Sequence, residues 1–92
     1  MSVSVAGHAS TDRVTGTCPA NRAFEAYAHD PSSPYRSPSY SYQYGNASAT
    51  GAVSVDMSAG SFLTFDLMPG DEVILSCTLG SGDIESVSGF VP

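Results

Sequence analysis

The sequence contains no lysine and no tryptophan, and only 13% of its residues are charged, about half the usual share. Its positive charges are three arginines, Arg13, Arg22 and Arg36, set against nine acidic residues for a net charge of −6. Without clustered basic residues the chain cannot displace the counterions of nucleic acid, and it has nothing to hold an anionic membrane surface. The lack of lysine removes Schiff-base chemistry. No strictly aliphatic run is longer than Val73-Ile74-Leu75, so membrane insertion is not expected. The first residues, Met1-Ser2-Val3-Ser4-Val5, show neither a basic region nor an apolar stretch of leader type. The expectation is a chain made without a leader, or one whose leader has been replaced by Met1. Helical periodicity is missing too: no window repeats apolar residues at helical spacing over three turns.

What the chain does have is alternation. Val3 and Val5 alternate with serines, and Phe24, Ala26 and Ala28 with Glu25 and Tyr27. Tyr40, Tyr42 and Tyr44 alternate with Ser39, Ser41 and Gln43, and Val53 and Val55 with Ser54 and Asp56. Leu63, Phe65 and Leu67 form one such series, and Val73, Leu75, Cys77 and Leu79 another. Residues 11–18 and 84–91 are looser strand candidates. Turn residues punctuate these runs at Gly7-His8, Pro19-Ala20-Asn21, Asp30-Pro31, Gly45-Asn46, Ala59-Gly60, Pro69-Gly70 and Gly80-Ser81-Gly82. Short alternating strands with turn signals about every 8–12 residues predict a sandwich or barrel. With 41% apolar residues and low charge the chain is not of disordered composition. At 92 residues it is expected to be one domain, residues 1–92, with room for one thin core and little left over for a walled active site. The expected core is Val14, Phe24, Val53, Val55, Leu63, Phe65, Leu67, Val73, Leu75 and Leu79, the apolar members of the alternating faces.

Two cysteines, Cys18 and Cys77, allow one bridge or two free thiols, depending on the compartment. The segment Leu67-Met68-Pro69-Gly70-Asp71-Glu72-Val73-Ile74-Leu75-Ser76-Cys77 resembles the corner before the second cysteine of immunoglobulin domains, matched at Leu67, Asp71, Val73, Leu75 and Cys77. Val14-Thr15-Gly16-Thr17-Cys18 is similar to the strand carrying the first cysteine, and residues 67–73 also resemble the corner of fibronectin type III domains. Leu75 stands where that corner has tyrosine, and no tryptophan follows Cys18. The resemblance implies an all-β, two-sheet sandwich with immunoglobulin-like topology, its sheets bridged by Cys18–Cys77. The alternative is a jelly roll: residues 70–75 with the closing Ser88-Gly89-Phe90-Val91 resemble the last strands of trimeric tumour-necrosis-factor-like heads.

Residues 30–44 are built almost wholly from Ser, Pro and Tyr, the chemistry of surfaces that bind with little entropy to lose. This is the partner-binding candidate, with Tyr35, Arg36, Tyr40, Tyr42 and Tyr44 as its contact residues. Tyr35 and Arg36, flanked by prolines, are expected to be exposed. Tyr40, Tyr42 and Tyr44 share one strand face, and the expectation is that this face turns inward to occupy the place of the missing tryptophan. No Cys or His pair has metal-ligand spacing, so neither a metal nor another cofactor is expected. His29-Asp30 beside many serines is a triad by inventory alone, without a nucleophile elbow. Asn46-Ala47-Ser48 is a glycosylation sequon, frequent by chance in a serine-rich chain. The expected function is therefore non-enzymatic: a structural or adhesive module, an accessory (decoration or appendage) protein of an assembled particle such as a bacteriophage virion. The alternative is a secreted immunoglobulin-like binding domain or inhibitor whose signal peptide has been removed. Either way the expected partners are protein subunits, through self-association or a larger assembly, and the expected location is virion or extracellular.

Overall fold

A computed structural model describes residues 3–32, 39–59 and 65–92. Tyr35, Arg36 and Leu63 lie outside the described residues. Among the described residues seven strands follow one another: β1 (Ser4–His8), β2 (Arg13–Thr17), β3 (Ala23–His29), β4 (Tyr40–Asn46), β5 (Ala52–Asp56), β6 (Glu72–Thr78) and β7 (Ile84–Phe90), with one 3-10 turn, Met57–Ala59, after β5. They form two antiparallel sheets, one in the order β1-β2-β5 and the other in the order β4-β3-β6-β7. Packed face to face, the sheets make a sandwich with the strand order of an immunoglobulin-like fold. Cys18, just after β2, and Cys77 on β6 are bridged, with Cα atoms 5.5 Å apart. The bridge ties the three-stranded sheet to the four-stranded one inside the core, where both cysteines are buried.

The core lies between the sheets because each strand turns alternate residues inward. Val14, Phe24, Val53, Val55, Phe65, Leu67, Val73 and Leu75 are buried there as the alternation predicts. Ala26, Ala28, Ala47, Met57 and Val91 join them. Small residues along β3 let the opposite sheet approach closely, and Met57, Phe65, Leu67 and Leu75 are the largest apolar side chains enclosed. Leu79 is only half-buried. It follows the end of β6, where its N–H donates to Asp83 O at 2.7 Å in the turn to β7.

Three other expectations are corrected. The alternation around Leu63, Phe65 and Leu67 is not a strand over the part described, residues 65–68. The backbone donors there are used otherwise: Phe65 N–H donates to Met57 O at 3.2 Å, and Leu67 N–H to the Asp12 carboxylate at 3.0 Å. Gly7-His8 and Gly45-Asn46 are not turns but the ends of β1 and β4. Their glycines serve packing. A Cβ on Gly7 would come within 2.7 Å of Val91 Cγ2, and one on Gly45 within 2.8 Å of the Phe24 ring. The turns come a few residues later, the second of them closed at Gly51 (φ +84°), which donates to Ser48 O at 2.9 Å. The Met68-Pro69-Gly70-Asp71 turn is as read: Asp71 N–H donates to Met68 O at 3.1 Å, with Gly70 at φ +91°, a type II turn with Pro and Gly in their favoured places.

The third correction concerns the tyrosines. Tyr40 and Tyr44 are exposed and Tyr42 half-buried, whereas Ser41, between Tyr40 and Tyr42, is fully buried. The β4 tyrosines therefore face outward, the reverse of the expected orientation. The reason is steric. The space under β4 is taken by the Phe24 ring, which reaches up to Gly45. Gln43, on the same inward side, crosses to donate to Asp56 O. No room is left for phenol rings.

Candidate binding face

Register assembles a surface that no single strand carries. On the outer side of the four-stranded sheet, β3 sets Glu25 opposite Tyr44, Tyr27 opposite Tyr42 and His29 opposite Tyr40. On its other side the same three residues meet Ser76, Ile74 and Glu72 of β6. Beyond these, β7 adds Phe90 opposite Glu72, Ser88 opposite Ile74 and Ser86 opposite Ser76. Side chains in register stand about 5 Å apart, close enough to interact. Tyr27 stacks on Tyr40 with ring centroids 6.0 Å apart and lies 5.5 Å from the His29 ring. Tyr42 and Tyr44 meet edge to face at 5.5 Å. The four tyrosines thus form two braced pairs, set beside each other by the Tyr27–Tyr42 register, on one preorganised sheet face.

Several polar groups of this face are paired as well. His29 Nε2–H donates to Glu72 Oε1 at 2.6 Å. Glu25, opposite Tyr44 in the register, pushes the Tyr44 ionisation above its ordinary range, first by hydrogen bonding with the phenol and then by the charge of its carboxylate. Ser76 and Ser86 hydroxyls share a hydrogen bond of 2.7 Å. Large apolar side chains remain uncovered at both ends of the sheet: Tyr44 is 73% exposed, Ile84 69% and Phe90 66%. A shallow groove of about 350 Å³ runs between Glu25, Tyr44, Ser76, Thr78 and Ile84. A second depression lies at the other end between Tyr27, His29, Ser39 and Tyr40.

The outer side of the three-stranded sheet differs. Ser4 shares a hydrogen bond with Thr17, His8 with Thr15, and Arg13 donates to Ser54. It is a network of polar side chains, and β1, β2 and β5 carry no tyrosine or phenylalanine.

Chemistry elsewhere is sparse. Among the described residues no three of His, Cys, Asp and Glu gather where they could hold a metal ion. His29 is engaged by Glu72, and the adjacent Asp30 carboxylate accepts from the Ser32 N–H and hydroxyl. Among the described residues no helix is long and apolar enough to cross a membrane. The chain matches no protein-family model, no curated protein and no solved structure.

Of the sequence candidates, the structure brings Tyr40, Tyr42 and Tyr44 together on this face, and Tyr35 and Arg36 lie outside the described residues. Sequence reasoning missed Tyr27, Glu25, His29, Ile84 and Phe90 as members of the same surface. The alternation of Glu25, Tyr27 and His29 against Phe24, Ala26 and Ala28 was the signal for three of them. Only the pairing of β3 with β4 and β6 makes them neighbours.

Proposed function

We propose that this chain is a non-enzymatic adhesive or structural module that docks another protein on the outer face of its four-stranded sheet. The observation that carries the reading is the outward turn of a braced row of tyrosines, with Ile84 and Phe90 exposed beside them. Tyrosine is a preferred anchor in protein interfaces because it brings area and a polar tip at low entropic cost. Large exposed apolar side chains gathered on one side of a small protein mark interaction surfaces. The Cys18–Cys77 bridge supports work in an oxidising setting, which both a virion exterior and the extracellular space provide. The same bridge, the strand order and the residue 67–77 corner support kinship with immunoglobulin-like or fibronectin type III-like sandwiches.

A photo-crosslinking residue placed at position 44, on the docking face, and separately at position 54, on the opposite sheet, tests this. In the cells or particles that contain the protein, position 44 should crosslink to a defined protein and position 54 should not. Equal products from both positions, or none from position 44, would remove the reading.

A further inference from the structure

We propose that the groove beside Tyr44 receives a cationic side chain, an arginine or lysine of the partner protein; the inference rests on the reading of this face as a protein-docking surface and names what it recognises. The first support is charge. The outward side chains of β3, β4, β6 and β7 include Glu25 and Glu72 but no arginine, and the chain has no lysine. Arg13 is held by Ser54 on the opposite sheet, and the Arg22 guanidinium lies beside Gly80, at the groove's end of the sheet but not among the groove's lining residues. A protein of net charge −6 that sets its carboxylates among aromatic rings offers the complement of a positive group.

The second support is shape and chemistry within the groove. Ile84, 69% exposed, and Ala23 form an apolar wall, and Glu25, Tyr44, Ser76 and Thr78 form the polar side. A long cationic side chain has the same division: an aliphatic stem that lies on apolar surface and a charged head that seeks oxygen. Tyr44 and Glu25 are cross-strand neighbours, so the phenol and the carboxylate stand side by side in the groove. A carboxylate beside a phenol still has lone pairs for a guanidinium fork or an ammonium. The Tyr42–Tyr44 pair adds ring faces on which a cation is attracted. A second copy of this chain is disfavoured as occupant because it would bring the same negative charge to the same face.

The test is an NMR titration of the isotope-labelled protein with a blocked Gly-Arg-Gly-Arg-Gly peptide, and with the same peptide carrying citrulline, the neutral shape-mimic of arginine. The arginine peptide should move the amide signals of Glu25, Tyr44, Ser76 and Ile84. The citrulline peptide should not, and Glu25→Gln should weaken binding at least about tenfold, the loss of a charge-assisted contact. Tyr44→Leu, which keeps the bulk and removes the ring and hydroxyl, should weaken it as well. Equal response to citrulline overturns the proposal, as do shifts spread evenly over Asp66, Asp83 and Glu85, or an unchanged affinity in Glu25→Gln. Self-association through this face, seen by light scattering and abolished by Tyr44→Ala, would give the face to a second copy and overturn it too. If position 44 still crosslinks to a partner protein while the arginine peptide does not bind, the docking face stands and the cationic class falls. If position 44 crosslinks to nothing, the docking reading itself has failed.

Discussion

Tyr44 shows how an exposed residue acquires a role from its neighbour. Ionising it would cost hydrogen bonding with Glu25 and set a phenolate beside that carboxylate, so its ionisation lies above the ordinary range. Folding therefore favours the neutral phenol. The contribution is present below the unfolded-state value of about 10 and is lost as pH rises through the higher folded-state value. Glu25→Gln should bring the Tyr44 titration, followed by phenolate absorbance or ring NMR shifts, back towards that of a free tyrosine. An unchanged titration would mean that Glu25 is not its partner in solution. Gly16 shows the opposite case, a residue defined by what it must not have. A Cβ there would meet Ser4 O at 2.2 Å and Leu75 Cδ2 at 2.8 Å, so the two sheets approach as closely as they do because β2 lacks a side chain at that point.

At the scale of the element, β3 and β6 are two-sided and β4 is inverted. β6 reads as a buried strand from its sequence, and its inward series Val73, Leu75 and Cys77 is wholly enclosed. On β4 the alternation of Tyr with Ser and Gln was legible, and so was the period. The side was not legible, because polarity alone sends tyrosine inward and serine outward. The Phe24 ring beneath Gly45 reverses that choice. The two sides of the four-stranded sheet should accordingly respond differently to mutation. Leu75→Ala should cost about 2–5 kcal/mol by emptying the core. Phe90→Ser, on a side chain 66% exposed, should change stability by no more than about 0.5 kcal/mol. Urea denaturation of both variants checks this. A large loss from Phe90→Ser would show that the ring is covered within its own chain, which would weaken the case for a docking face.

For the whole molecule the bridge matters most. It closes a loop between residues 59 positions apart, worth about 4 kcal/mol in the chain-entropy account. Against a typical stability of about 5–15 kcal/mol, a thin sandwich depends on it. Replacing Cys18 and Cys77 together by alanine should lower the unfolding free energy by about 4 kcal/mol, read as a fall in urea midpoint, and reducing agent should act in the same direction on the unaltered protein. A loss under about 1 kcal/mol would show that packing between the sheets suffices without the bridge.

Sequence by itself determined the class of this protein. Period-two alternation, turn residues at short intervals and the lack of helical spacing require strands, and of the nine expected core residues that are described, eight are buried. Strand period and burial are local properties, written in neighbouring residues. Tertiary structure decided which side of β4 faces out, which glycines pack and which turn, and how Phe65 and Leu67 spend their backbone donors. It also decided the candidate site. Glu25, Tyr44, Ser76 and Ile84 lie far apart in the chain, and only the order β4-β3-β6-β7 makes them the lining of one groove. The physical reason is that a sheet surface is built across strands: a residue's neighbours on it are set by register, and register is settled by the packing of the whole sandwich.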